Sequence, residues 1–222
     1  MFNVKPLPDQ INSMQLDKLL KCETATIGHF LHSPFMTPKI KAMIPGRRVV
    51  GTAVTALVPG VDGTMMHWAV GHARPGDFLV IDRAGDLRHA CWGGVVAVAA
   101  KEAGIVGAVI DGFCTDLEEI RQQDVPLWSF GPSPITTKLL GLEGAFNISV
   151  SCGGVTVHPG DAILADESGV VAIRPWEIDY VFSEAMKRQN AEPETVRRLR
   201  AGERLHEIRG AGGLVRASLN KN

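Results

Sequence analysis

The sequence predicts an α/β fold with a mixed sheet, and three features of its order carry that prediction. In the first half, apolar runs of strand length alternate with helix-length segments. From Phe146 onward, short β runs broken by Gly and Pro follow one another, and the chain then turns to charged helical segments. At 222 residues, 45% hydrophobic and 21% charged, the chain can bury a substantial core. No internal repeat or linker divides it, so residues 1–222 read as a single domain with N- and C-terminal helical segments.

Residues 15–35 mix apolar and polar positions at helical spacing and predict one or two helices, ended by Pro34 and Pro38. Residues 49–57, rich in Val, Thr and Ala, read as a strand, and 59–63 as a turn. A helix over 64–73 is stopped by Pro75 and Gly76, and 77–82 is the next apolar strand, followed by a turn at Ala84-Gly85-Asp86. The Ala-rich run 94–103 suits a buried helix, which Gly104 closes in a left-handed cap. Strands at 107–110 and 127–130 flank a helical segment at 117–123. Beyond Phe146 the β runs are 147–151, 155–157, 162–165 and 170–173. Pro175 fits the first turn of a helix over 176–189 with Ile178, Ala185 and Met186 inward. A second, strongly charged stretch runs over 192–201 and stops at Gly202.

Several function classes are disfavoured by composition. Lys and Arg number 23 against 24 Asp and Glu, and no basic stripe offers phosphate neutralisation, so no nucleic-acid partner is expected. Apolar runs break far short of the roughly 20 residues a membrane span needs. The opening ten residues lack the charged and apolar regions of a signal peptide. Cys22, Cys91, Cys114 and Cys152 are scattered without paired-ligand spacing, which predicts a reduced cytoplasmic setting and argues against a cysteine zinc site.

The densest chemistry lies between Trp92 and Asp116. Gly93 and Gly94 open a helix with two residues lacking side chains, where backbone amides and the helix dipole favour a carboxylate. The same glycines would equally permit close helix–sheet packing. A short strand then ends at Asp111-Gly112, and Asp116 follows in the loop beyond, a position that commonly presents catalytic groups. Asp116 is a candidate metal ligand or, with Glu119 three residues on, half of a capping box. Asp111 reads as a supporting acid or a turn former, and Trp92 as a pocket wall or a packing aromatic.

With these motifs in place, the chain resembles the regulator of ribonuclease activity A family, which includes the 4-hydroxy-4-methyl-2-oxoglutarate aldolases. The resemblance rests on the order of Arg48-Val49-Val50-Gly51-Thr52-Ala53, Arg74-Pro75-Gly76-Asp77, the Gly-Gly helix with its Asp-Gly loop, Val157-His158-Pro159-Gly160-Asp161 and Asp166-Glu167-Ser168-Gly169-Val170-Val171. It implies a layered β/β/α sandwich of the swivelling-domain type, assembled as a homotrimer or hexamer. It also implies a divalent-metal-dependent carbon–carbon lyase acting on a small 2-oxo or hydroxy diacid. Asp116 would hold Mg²⁺ or Mn²⁺, since the nearby donors are hard oxygens. The alternative it implies is a non-catalytic oligomer that works by protein association.

One departure stands out. The family's aldolases carry an arginine beside the metal-binding Asp to grip the 2-oxo acid, and this chain has Thr115 there. A threonine hydroxyl offers one neutral hydrogen bond where arginine offers a charged fork. Arg88 is the candidate substitute, with Arg83 also just upstream. His29 stands where many relatives carry an acid. Glu194, and less well Glu192, matches the C-terminal acid that reaches a neighbouring subunit's site, against the simpler reading of a solvated helix face. His67 and His72, five residues apart, are poorly spaced for a shared proton shuttle, and Cys114 has no partner base.

Overall fold

The computed structural model describes residues 1–220. The chain opens with β1 (Phe2–Val4), α1 (Ser13–Leu20), α2 (Thr24–Ile27) and β2 (Lys41–Ala42). Then come β3 (Val49–Leu57), α3 (Thr64–His72), β4 (Asp77–Asp82), β5 (Ala90–Trp92) and α4 (Gly94–Glu102). β6 (Gly107–Ile110), β7 (Phe113–Cys114), α5 (Leu117–Gln123), β8 (Leu127–Ser129) and β9 (Gly144–Phe146) follow. The last elements are β10 (Val150–Cys152), β11 (Val155–Val157), β12 (Ala162–Asp166), β13 (Gly169–Ile173), α6 (Ile178–Arg200), α7 (Leu205–Ile208) and α8 (Ala211–Leu219).

β3, β4, β6 and β8 are adjacent and parallel, and α3, α4 and α5 make the crossovers that parallel strands require. β9 and β12 pair antiparallel with β3, so the sheet is mixed. Because successive side chains alternate faces, the unbroken apolar run 78–81 of β4 requires both faces of the sheet to be covered. Leu79 and Ile81 pack with Met65, Met66, Ala97 and Ile120 beneath α3, α4 and α5. Phe78 and Val80 pack on the other side with Val150, Cys152 and Val157 of the β10–β11 hairpin. The hairpin, sheet and helices form the three layers. Each fully buried Leu or Ile contributes roughly 1.5–3 kcal/mol of apolar transfer. α1, α2 and α6 close a third cluster over β12 and β13.

The structure departs from the sequence expectation in three places. The two C-terminal helical stretches are one helix, α6, which runs on through Pro193. That segment is exposed, so water can take the carbonyl left free by the missing N–H. The expected strand 147–151 is broken because Asn147 has φ +53°, which separates β9 from β10. The short strands β1, β2, β5, β7 and β9 and the helices α7 and α8 were not foreseen. Among the described residues no helix is long and apolar enough to cross a membrane.

Candidate functional site

Two strand-to-helix turns lie side by side at the site. β5 runs into α4 through Gly93, and β7, paired parallel to β5, runs into α5 through Thr115 and Asp116. The Thr115 amide donates to the Trp92 carbonyl at 2.8 Å and fixes the two turns to each other. A Cβ on Gly93 would stand 2.6 Å from Oδ2 of Asp116 and 3.0 Å from Cγ2 of Thr115. One on Gly94 would stand 2.8 Å from Cβ of Glu119. The two glycine readings therefore describe one fact. The close approach that glycine permits is the approach of the acidic loop to the helix end.

Asp116 adopts the left-handed conformation, φ 52° and ψ 51°, and makes no side-chain bond to the amides of its own helix. The capping box with Glu119 does not form. Instead the carboxylate turns across to α4, where Oδ2 accepts the Gly94 amide at 3.0 Å and Oδ1 accepts the Thr115 hydroxyl at 3.1 Å. A carboxylate has about four acceptor sites, and Asp116 is exposed, so half its capacity faces solvent. Gly93, the N-cap of α4, supplies no side-chain bond, and the rest of the first-turn amides keep their donor capacity and dipole field.

Gly93, Gly94, Thr115 and Asp116 are thus brought together, and Glu119 joins them. The sequence reading assigned Glu119 only to capping. Its i,i+3 spacing from Asp116 was the available signal. Glu194 lies exposed on α6 and is held by Arg197 through two contacts of 2.7 Å. Arg88 is exposed before β5, with its amide on Asp86 and its carbonyl accepting from Ser133. Among the described residues, the hydrogen bonds to the Asp116 side chain come from Gly94 and Thr115, and neither Glu194 nor Arg88 takes part in them.

Other candidates are placed elsewhere. Arg83 is fully buried beneath Gly112, bound to the carbonyls of Val58 and Gly60 and to Asp86, so it is a structural staple and not a solvated cation. Trp92 is fully buried and packs in the core cluster beneath the helices. His72 stacks on Trp68 at 3.9 Å, His67 is exposed on the same helix, α3, and His29 is exposed in the turn after α2. Burial pushes the Cys114 thiol up, against the hydrogen bond to Ser129, which disfavours the nucleophilic thiolate. Burial also raises the carboxyl of Asp111; the Gly153 amide opposes this and the charge of Asp82 adds to it.

Among the described residues, no three Asp, Glu, His or Cys side chains converge as a ready-made metal cage. Mg²⁺ and Mn²⁺ do not need one, since they commonly take one or two carboxylates and leave the remaining positions to water and substrate. The under-used carboxylate of Asp116, with Glu119 flanking Gly94, fits that donor chemistry.

Comparison with known proteins gives the family and the fold. Residues 22–172 match the model of the RraA-like family, described as Aldolase/RraA. A protein of Halalkalibacterium halodurans, provisionally named 4-hydroxy-4-methyl-2-oxoglutarate aldolase, is 36% identical over 154 residues, covering 69% of this chain and 73% of that protein. Among solved structures, Streptomyces coelicolor RraAS2, described as an unusual member of the RNase ES inhibitor RraA protein family, has a TM-score of 0.74 at 26% identity. The match covers 86% of this chain and 98% of that one. An uncharacterized protein of Pseudomonas syringae pv. tomato shares the fold at a TM-score of 0.77 and 24% identity, over 91% of this chain and all of its own.

Proposed function

The chain belongs to the RraA-like family, and on that premise we propose that it is a divalent-metal-dependent carbon–carbon lyase acting on a small 2-oxo or hydroxy acid. The observation that carries this reading is the half-saturated Asp116 carboxylate held against the glycine-opened end of α4. Asp116 would hold Mg²⁺ or Mn²⁺. When bound, the ion supplies Lewis-acid polarisation of a 2-oxo group, which favours retro-aldol cleavage or decarboxylation. The first-turn amides of α4 orient the substrate carboxylate. Thr115 adds a neutral hydroxyl at the site, and Arg88 is the cation closest in sequence that remains free to approach it. Glu194 would complete the site from a neighbouring subunit of a cytoplasmic homotrimer or hexamer.

The aldolase name carried by the Halalkalibacterium relative supports the reaction class. Pyruvate release from oxaloacetate and from 4-hydroxy-2-oxo acids, measured with Mg²⁺ and again with EDTA, tests it. Release that depends on the metal and disappears in Asp116→Ala is the expected result. One observation favours a second reading, a non-catalytic regulator acting by protein association: the loop presents Thr115 and no cation to the site. Metal-independent behaviour with no turnover on any of these acids would select that reading.

A further inference from the structure

Resting on the lyase reading above, we infer that the site selects 2-oxo acids carrying a single carboxylate and an uncharged, apolar remainder, and discriminates against diacids. The argument is one of charge and surface. Asp116, Glu118 and Glu119 are all exposed in the turn that enters α5, and the Glu119 side chain lies directly against Gly94. A divalent ion offsets two of these three charges and leaves one in excess, to which a bound monoanion adds a second. A second carboxylate would add another, and the loop presents Thr115 rather than a cation to meet it.

Two of the neighbouring arginines are engaged elsewhere, and the third, Arg88, stands a strand away from the helix end. Arg121, on α5 itself, directs Nε to the Met43 carbonyl at 3.4 Å. Arg83 is buried under Gly112 and bound to Val58, Gly60 and Asp86. Arg88 precedes β5 while Gly93 follows it, so the length of that strand lies between them. On the other flank the surface is apolar. Val95, the residue after Gly94, is 82% exposed, and Val98 one turn further along α4 is also exposed. A substrate whose carboxylate sits at the first-turn amides meets valine on one side and glutamate on the other. An alkyl end suits the former and a carboxylate end suits neither.

The test is calorimetric binding of 2-oxopentanoate and 2-oxoglutarate to the full chain loaded with Mn²⁺, a pair matched in length and differing at the distal end. Wild type should bind 2-oxopentanoate at least about tenfold more tightly, the order expected for several like-charge contacts near a protein surface. Glu119→Gln should narrow the gap severalfold, and Thr115→Arg should close or reverse it. Equal or tighter binding of 2-oxoglutarate to wild type overturns the inference, as does a preference that neither substitution moves. Tight 2-oxoglutarate binding that Arg88→Ala abolishes would overturn it by identifying Arg88 as the missing counter-cation. Mn²⁺ binding with no affinity for either acid overturns this inference alone. Failure to bind Mn²⁺ removes the lyase reading beneath it.

Discussion

Two aspartates, each in the turn leading into a helix, have opposite fates. Asp62, just before α3, is 2% exposed and accepts five hydrogen bonds, from the amide and hydroxyl of Thr64 and the amides of Leu140, Leu142 and Glu143. Burial opposes its ionisation, but the bonds from Thr64, Leu142 and Leu140 outweigh that and hold its carboxyl below the usual carboxylate range. Asp116, just before α5, is exposed and accepts two. A saturated carboxylate fixes backbone and has nothing left for a ligand. An under-used one at a glycine-opened helix end does. The difference lies in what surrounds each acid, not in residue type or position along its helix.

The largest effect should come from Asp62. Asp62→Ala leaves three distant amides of the 140–143 segment without their acceptor and should cost about 3 kcal/mol or more, read as a shift in the urea midpoint. The sign of its pH dependence follows from its lowered pKa. Its contribution is complete above about pH 5 and is lost as pH falls through the folded-state value. Urea midpoints taken from pH 7 to pH 3 should therefore fall more steeply in wild type than in Asp62→Ala.

Thr115→Arg comes next. A charged donor at a reacting oxygen is worth about 2 to 4 kcal/mol by analogy with a single oxyanion-hole donor, so pyruvate release from diacids should rise at least tenfold. Robust wild-type turnover left unchanged by Thr115→Arg but destroyed by Arg88→Ala would mean that Arg88 already supplies the charge.

A smaller effect separates the glycines. Gly93→Ala places a methyl 2.6 Å from the Asp116 carboxylate and should weaken Mn²⁺ affinity about tenfold, by analogy with mutations that displace a metal ligand's support. Gly71→Ala, with open space at its Cβ inside α3, should leave affinity unchanged and stabilise the fold by about 0.5–1 kcal/mol. Equal Mn²⁺ affinities for the two variants would contradict the close-approach role given to Gly93.

Much of the fold was legible because the strong signals are local. The residue ranges of β3, β4, β6 and β11 follow from β-branched runs bounded by turn residues, and α4 from an Ala-rich segment between glycines. What escaped depends on distant partners. β1 exists only because residues 2–4 find β9, some 140 residues away in sequence, and β5 only because β7 lies beside it. The stretches 176–189 and 192–201 read as separate in sequence, yet α6 carries both, anchored in the core by Ile178, Val181 and Ala185. At the site, the pairing of Gly93 and Gly94 with Thr115 and Asp116 was legible from their order. The side-chain destination of Asp116 was not. Its left-handed backbone turns a capping-box sequence outward, and Glu119 enters the site through the Cβ that Gly94 lacks.

The central claim is that Asp116 is a free ligand where Asp62 is a spent one, and a Mn²⁺ titration monitored by thermal unfolding tests it most directly. An ion that binds only the native state raises the melting temperature with concentration. Wild type should show that rise, and Asp116→Ala should fold with the metal-dependent rise gone. Superimposable titrations of the two proteins, or no response to Mn²⁺ in wild type, would contradict the account.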